Sequence, residues 1–507
     1  MTLEIPSLGC PFTLGMLYDC REEKLIPAST LWNREDLNKN ICTMAKCHTS
    51  FEVLTSDTVS DKSSALKVSG GLKMSLWSGA INVEGSGEYL TDTKESKAQA
   101  RVTLKYERTT KFSQLSMDHL CTKNITYHEA FDKGIATHVV TGILYGAQAF
   151  FVFDQKVTDS KQVTEIQGKL KNFALKMANL TGNLKNKDNK TEKVRQFSCT
   201  FYGDFALEKN PVTYEEAEEV YTSLPKLIGE DGENAVPLKV WLYPLKDLDN
   251  KAAHLVREIS DHLIFTAENI MQNMSEVVME CNDMMKHLAA KTFPTLYFKI
   301  SQFKKLFEGF RLMFQKKMAK VLPSVRCGNM NESTLEDVLF GKEKSPFREQ
   351  NIQEFLGRSR LEMEVVSSSL KQLTGFRVVS EQSELMKAIL DPDFDTAICF
   401  NFSSLTSEDS YLSYLNSWLQ KKTWDHQDVF MDGETKQWFE NNGIKKQIRD
   451  LVATFTELAR EHRASENTQF LVTSVACSAV PGVTIQYYQS GGLVTTKCMP
   501  PAKPMLL

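Results

Sequence analysis

No run of eighteen or more apolar residues occurs in this 507-residue chain, which excludes an ordinary membrane-spanning helix. The exclusion does not reach β-hairpins, which cross bilayers without a hydropathy peak. A long basic run is also missing and the net charge is −4, so non-specific nucleic-acid binding through counterion release is not expected. The opening MTLEIPSLGCPFTLG lacks a basic segment ahead of an apolar core. It therefore predicts no signal peptide and a cytoplasmic location, with leaderless secretion and membrane association as the alternative. Cysteines number eleven, an odd count scattered without a C-x-x-C, as expected of free thiols in a reducing setting. The six N-x-S/T sequons, at Asn124, Asn179, Asn189, Asn273, Asn331 and Asn401, read as chance occurrences on that basis.

Enzymatic chemistry finds little to work with. Cys42, Cys47 and His48 stand close together, but a zinc site needs about four ligands and no second pair is nearby. The glycines of VEGSGE precede no clear strand-to-helix transition and no P-loop lysine. His138 reads as a core or hinge residue, and Cys399, Cys477 and Cys498 as isolated thiols. No Ser/His/Asp set or carboxylate pair emerges. A non-enzyme without cofactor or metal is expected.

What the chain does hold is three styles of patterning, and its length also suggests about three domains. Residues 1–248 read mainly as strands, among them RVTLKY (101–106), RQFSCTFYGDF (195–205) and VPLKVWLYPL (236–245). Residues 136–153 are long and apolar around Gly142 and Gly146, predicting a bent central strand or a tight hairpin. Residues 249–375 carry amphipathic helical runs near 250–290, 296–321 and 349–373, a bundle. Residues 376–499 alternate strand and helix and end in a hairpin, a small α/β sandwich, and 500–507 form a tail.

Two segments are written for helix and strand together. In SSALKVSGGLKMSLWSGAINVEGSGEYL (63–90), Leu66, Val68, Leu72, Met74 and Leu76 share one face at period two, with Lys67, Ser69, Lys73 and Ser75 opposite. At helical spacing Ala65, Val68, Leu72, Leu76, Ala80, Val83, Gly87 and Leu90 line up instead. After Ser78–Gly79 the alternation changes phase, so that Ile81, Val83 and Tyr89 oppose Asn82, Glu84 and Glu88. The second segment carries Val163, Ile166, Leu170, Phe173, Met177, Leu180 and Leu184 at helical steps, while Phe173, Leu175 and Met177 also alternate.

The blocks PFTLGMLYD (11–19), KLIPASTLW (24–32), DKSSALK (61–67), RVTLKY, ATHVVTGILYGAQAFFVFD (136–154) and NAVPLKVWLYPL (234–245) resemble, in order, the stonustoxin and verrucotoxin subunits of fish venoms. The likeness continues more loosely to the end of the chain. It implies an α+β multidomain protein. A perforin/cytolysin-like bent β-sheet with flanking helical clusters comes first, then a helical bundle similar to focal-adhesion-targeting domains, then a thioredoxin-like domain without redox cysteines. The family's two clusters, thought to unfurl into membrane-crossing hairpins, fall by position on about 62–98 and 160–192. The resemblance thus implies a pore-forming subunit that partners a lipid membrane and a related subunit, as a homo- or hetero-oligomer. Candidate insertion residues are Leu66, Val68, Leu72, Met74, Leu76, Ile81, Val83, Ile166, Leu170, Phe173, Leu175 and Met177, and candidate sheet-bend residues are Gly142 and Gly146. A charge at Leu72 or Met74 is expected to stop permeabilisation and spare the soluble fold. Two departures stand out: the chain stops before the family's PRY-SPRY domain, and Tyr145–Gly146 replaces the paired glycine of the perforin signature. They leave open a non-lytic intracellular interaction protein that keeps the fold and binds a partner through 249–375.

Overall fold

The computed structural model describes residues 2–116, 125–157, 160–179, 197–405, 409–421, 437–462, 465, 467–476 and 480–496. Leu180, Leu184, Cys477, Cys498, Asn124, Asn189 and the 500–507 tail lie outside them. Two compact units are distinguished, Met1–Met279 with Arg311–Phe340 and Glu280–Phe310 with Gly341–Leu507.

The first unit opens with β1 (Leu3–Pro6), β2 (Met16–Asp19), β3 (Lys24–Thr30), α1 (Arg34–Lys39) and the long β4 (Ile41–Leu54). Helices α2 (Val59–Ala65) and α3 (Gly70–Trp77) follow, with a 3-10 turn at Gly85–Leu90. The chain then runs through β5 (Gln99–Leu115), α4 (Glu129–Asp132), β6 (His138–Lys156), α5 (Val163–Ala178), β7 (Ser198–Gly203), α6 (Tyr214–Leu227) and β8 (Val236–Pro244). These strands form one open sheet centred on β6, which pairs antiparallel with β5, β7, β8 and β2. Strand β4 pairs with β5 alone among the described residues, leaving its outer edge free. Residues 138–156 are thus a single long strand rather than a hairpin.

Irregularities in neighbouring strands coincide near Gly146. Register irregularities fall between Ala45 and His48, between Thr109 and Lys111, and between Leu144 and Tyr145. Since His48 pairs with Thr109 and Thr109 with Gly146, they lie at one level of the sheet. A Cβ on Gly146 would stand 2.2 Å from the Arg108 carbonyl oxygen and 2.6 Å from Leu238. Only glycine permits that approach. Gly142 is covered by the Phe112 and Trp241 side chains.

Strand β5 places Ala100, Val102, Leu104 and Tyr106 on one face, within an apolar core shared with α5 and α6. Its other face carries Arg101, Thr103, Lys105 and Glu107, which are buried as well. Helix α2 starts at Thr58, whose hydroxyl and the Asp61 side chain form a capping box.

After β8 come α7 (Asp261–Met285), α8 (Leu288–Thr292), α9 (Pro294–Arg326), α10 (Glu332–Phe340) and α11 (Glu349–Gln372). The helical run expected from about 250 starts only at Asp261. Upstream, the Val256 and Arg257 amides donate to the Arg326 carbonyl and so need no helical partner.

In the second unit Phe303, Phe307, Phe310 and Phe355 are buried with Phe347; Phe310 and Phe347 stack at 4.4 Å. β9 (Arg377–Val379), α12 (Gln382–Ile389), β10 (Thr396–Asn401), α13 (Ser410–Lys421), α14 (Asn442–Glu461), β11 (Thr468–Thr473), β12 (Thr484–Gln489) and β13 (Gly492–Thr495) complete it. The sheet order is β13-β12-β10-β11-β9, parallel in β9, β11 and β10 and antiparallel in the closing hairpin. Cys399 lies fully buried in β10, and burial pushes its thiol up to about 12.

Candidate functional site

The segment joining β4 to β5, residues 55–98, lies on the charged face of β5. Lys62 in α2 meets Asp57 at 3.1 Å and donates to the Asp92 carbonyl. Arg101 reaches Asp154 through paired contacts of 2.8 Å and also meets Asp57 and Asp92. One guanidinium on the sheet therefore ties both ends of the segment. Burial lowers the Lys62 ammonium below its ordinary pKa, and the facing carboxylates oppose that shift. Deeper in the segment the Lys105 ammonium donates to the Ala65 carbonyl, and Lys67 meets Glu107 at 2.9 Å. Tyr89 stacks on Phe150 of β6 with ring centroids 4.4 Å apart.

Side chains of α7 and of the end of α9 clasp the same segment. Gln272 accepts from the Val59 amide, Glu268 lies 3.6 Å from Lys73, and Gln315 donates to the Trp77 carbonyl at 2.7 Å. Arg326 is the firmest grip. Its guanidinium donates to the Gly71 carbonyl at 2.7 Å and the Arg21 carbonyl at 3.2 Å, and lies 3.4 Å from Glu23. Burial raises the Glu23 carboxyl, which also accepts from the Tyr18 hydroxyl. A cavity of about 430 Å³, lined by Asp57, Lys62, Trp77, Met271 and Gln315 among others, leaves this clasp incompletely packed.

Of the candidate residues here, Leu66, Val68 and Leu72 are buried in the core around β6, with Leu76, Ile81 and Val83 packed against it. Met74 is wholly buried, at 0% exposure. The expectation that a charge at Leu72 or Met74 would spare the soluble fold is therefore corrected: it would meet a packed interior before it met lipid. Patterning along one face could not show this, because α3 is enclosed on more than one side, with Trp77 buried too.

The second segment lies on the apolar face of β5. Leu170, Ala174 and Met177 of α5 share a core with Ala217, Tyr221 and Leu224 of α6. Phe173 meets Phe197 and Tyr214 edge-on, each at 5.5 Å, and accepts from the Tyr214 hydroxyl through its carbonyl. Ile166 is half-buried, and Leu175 is exposed on the opposite side.

Sequence reasoning missed the Asp57–Lys62–Asp92–Arg101 network and Arg326. Strict alternation in QARVTLKYE was the available signal for Arg101; nothing marked Arg326. His138 is a buried core residue, its Nδ1 within 3.1 Å of the Cys20 thiol and 2.9 Å of the Thr137 hydroxyl. Cys42 and Cys47 are exposed on β4. Among the described residues no group of three or more His, Cys, Asp or Glu could hold a metal, and no helix is long and apolar enough to cross a membrane.

An open, bent sheet with helical segments set between its long strands, followed by helices and an α/β unit, is a stonustoxin-like fold. The chain matches the stonustoxin helical domain over residues 269–364 and the thioredoxin-like SNTX domain over 375–500. It is 35% identical to stonustoxin subunit alpha of Synanceia horrida, over 99% of this chain and 72% of that protein. It is 34% identical to verrucotoxin subunit beta of Synanceia verrucosa, over 96% of this chain and 70% of that protein. It is 33% identical to cytolytic toxin-alpha of Scorpaena plumieri, with the same two shares of 96% and 70%. The solved stonustoxin structure superposes with a TM-score of 0.81 at 30% identity, over 99% of this chain and 71% of that one. The chain belongs to the stonustoxin family. That kinship corrects the cytoplasmic location expected from the amino terminus: the relatives are secreted venom toxins, which points to an extracellular place of action.

Proposed function

We propose that this protein is a pore-forming subunit that assembles on membranes, inserts hairpins formed from the two helical segments, and causes lysis. The observation that carries the reading is kinship along nearly the whole chain with toxin subunits, one of them named cytolytic. In this reading residues 1–248 are the lytic domain, 249–375 the helical bundle and 376–499 the thioredoxin-like domain. The Leu66–Val83 and Ile166–Met177 candidates insert, and Gly142 and Gly146 set the bend. No catalytic residue or cofactor is assigned. Alpha and beta relatives support a related chain as partner, and the free outer edge of β4 is the surface offered to it. Unpaired backbone groups cost several kcal/mol each within a bilayer, so hairpins insert only as parts of a closed ring. The test is dye leakage from red cells and from phosphatidylcholine–cholesterol vesicles, with electron microscopy of the same membranes. The protein is assayed alone and with a co-expressed relative. Leakage with rings is expected in at least one arm. Neither in either arm would sink the reading.

A further inference from the structure

The cavity beside the clasp, about 430 Å³, is enclosed by the two ends of the 55–98 segment, by the end of α3, and by α7 and α9. That volume lies within the usual range of small-molecule sites, roughly 300–1,000 Å³. Two kinds of lining meet in it. Leu76, Trp77, Met271 and Met279 are apolar, and Trp77 and Met271 are buried. Asp57, Lys62, Asp92, Lys94 and Arg311 are charged. The lining reaches solvent at Ser56, Thr91 and Thr93, all of them exposed.

Most of the polar lining is already engaged. Asp57 lies 3.1 Å from Lys62 and 3.3 Å from Arg101, and Asp92 also meets Arg101. Gln272 accepts from the Val59 amide, Gln315 donates to the Trp77 carbonyl, and the Ser275 hydroxyl donates to the Met271 carbonyl. Lys94 is different. It is half-buried, and among the described residues no group stands within ion-pair or hydrogen-bond distance of its ammonium. Burial lowers its pKa, and Asp57 opposes that shift only from beyond pairing distance. A partly desolvated ammonium without a partner is completed by an anion. The charge of the lining has the same sense: three cations, Lys62, Lys94 and Arg311, stand against two carboxylates, Asp57 and Asp92. A bare anion would leave the apolar lining wet, and an apolar molecule would leave Lys94 unpaired.

We propose that this cavity binds a single-chain anionic amphiphile, with its head group on Lys94 and its chain against Leu76, Trp77, Met271 and Met279. The two unbranched methionines can adapt to such a chain. Since the 55–98 segment and α7 both supply lining, an occupant favours their packed arrangement by mass action. The site does not depend on the pore-forming reading.

The test uses the full chain and decyl phosphate below its micelle concentration, followed by titration calorimetry and hydrogen exchange. Inorganic phosphate and decyltrimethylammonium are the comparison ligands. Decyl phosphate should bind one-to-one, slow exchange at 55–62 and 90–94 several-fold, and raise Tm by a few degrees. Each comparison ligand should bind weaker by about tenfold or more, and Lys94→Met should weaken decyl phosphate by about tenfold, the scale of one hydrogen bond to a charged group. Ser275→Leu fills the cavity from α7 and should remove the binding. Equal affinity for decyltrimethylammonium, or unchanged affinity in Lys94→Met, overturns the anion site. Inorganic phosphate binding as tightly as decyl phosphate overturns the role of the apolar lining. Binding that survives Ser275→Leu, protection confined to residues outside the lining, or no saturable binding at all overturns the site itself. If Ser275→Leu does not fold, Lys94→Met and the exchange map still decide the question.

Discussion

The two helical segments rest on opposite faces of the same strand, and the faces differ in kind. Residues 163–178 cover Ala100, Val102, Leu104 and Tyr106, an apolar bed joined by Phe151 and Phe153 of β6. Residues 59–90 cover Arg101, Lys105 and Glu107, with Phe150 and Val152 of β6 alongside. Lifting the second segment exposes hydrocarbon to water and is opposed by the hydrophobic effect until another surface takes its place. Lifting the first rehydrates buried charges, which returns part of the cost of separating them. The first segment is therefore held by specific polar ties in addition to its buried Leu66, Val68, Leu72 and Tyr89, and the polar ties can be removed singly. Under the proposed pore-forming function, the difference predicts an order: segment 59–90 leaves first, and segment 163–178 follows once neighbours can cover its bed.

The largest test of that asymmetry is Arg101→Met. It leaves Asp57, Asp92 and Asp154 near one another with Lys62 and Lys94 as remaining nearby cations, and breaking a buried pair typically costs about 3–5 kcal/mol. Hydrogen exchange should show residues 55–98 losing protection while 163–178 keep theirs, with a matching fall in Tm. Equal loss in both segments would break the comparison. Arg326→Met should act in the same direction by about 2–3 kcal/mol, the scale of losing charge-assisted bonds to the Gly71 and Arg21 carbonyls and the Glu23 partner. Phe173→Ala sharpens the other side. Loss of a half-buried ring and its two edge contacts should cost about 2 kcal/mol and loosen 163–178 alone.

Legibility in the sequence followed the same divide. The alternation of strand and helix after residue 375 was readable because its helices bury one face at helical spacing while the central β10 is a continuous apolar run buried on both faces, so pattern and burial agree. The double pattern of 63–90 was readable for a different reason: its apolar residues fit two periods, and the helical one is what this structure shows. It forms helices here despite Gly70 and Gly71 in the first turn of α3, each worth about 1 kcal/mol against helix relative to alanine. The clasp was not readable. Charged residues on a strand are ordinarily taken as solvent-facing, and nothing local says that Arg101 will be covered or that Arg326, more than two hundred residues away, will help cover Gly71. The second segment's weaker double pattern also has a physical reading. Ile166 and Leu170 have one parity and Phe173, Leu175 and Met177 the other, so a straight strand would divide them between faces. That segment is written first for a helix.

The smallest effect concerns acid. Burial holds the His138 imidazole low, near 4, against an ordinary value of 6.5. The unfolded chain therefore takes up this proton first as pH falls. Stability from His138 is complete above pH 6.5, declines as pH drops below it, and stops declining near pH 4. The span corresponds to about 3 kcal/mol, of which about 1 kcal/mol falls between pH 7 and 5.5. The loss should be felt unequally. His138 contacts Cys20 and Thr137, and Cys20 begins the turn whose Arg21 carbonyl and Glu23 carboxylate Arg326 grips while holding Gly71. Acid should thus slacken the seat of the clasp on 59–90 and leave the aromatic contacts of 163–178 in place. Urea titrations at pH 7 and 5.5, with exchange measured on both segments, should show the shift in wild type and a reduced shift in His138→Gln. If the wild-type shift appears equally in both segments, or His138→Gln leaves it unchanged, then this histidine does not couple acid to the first segment.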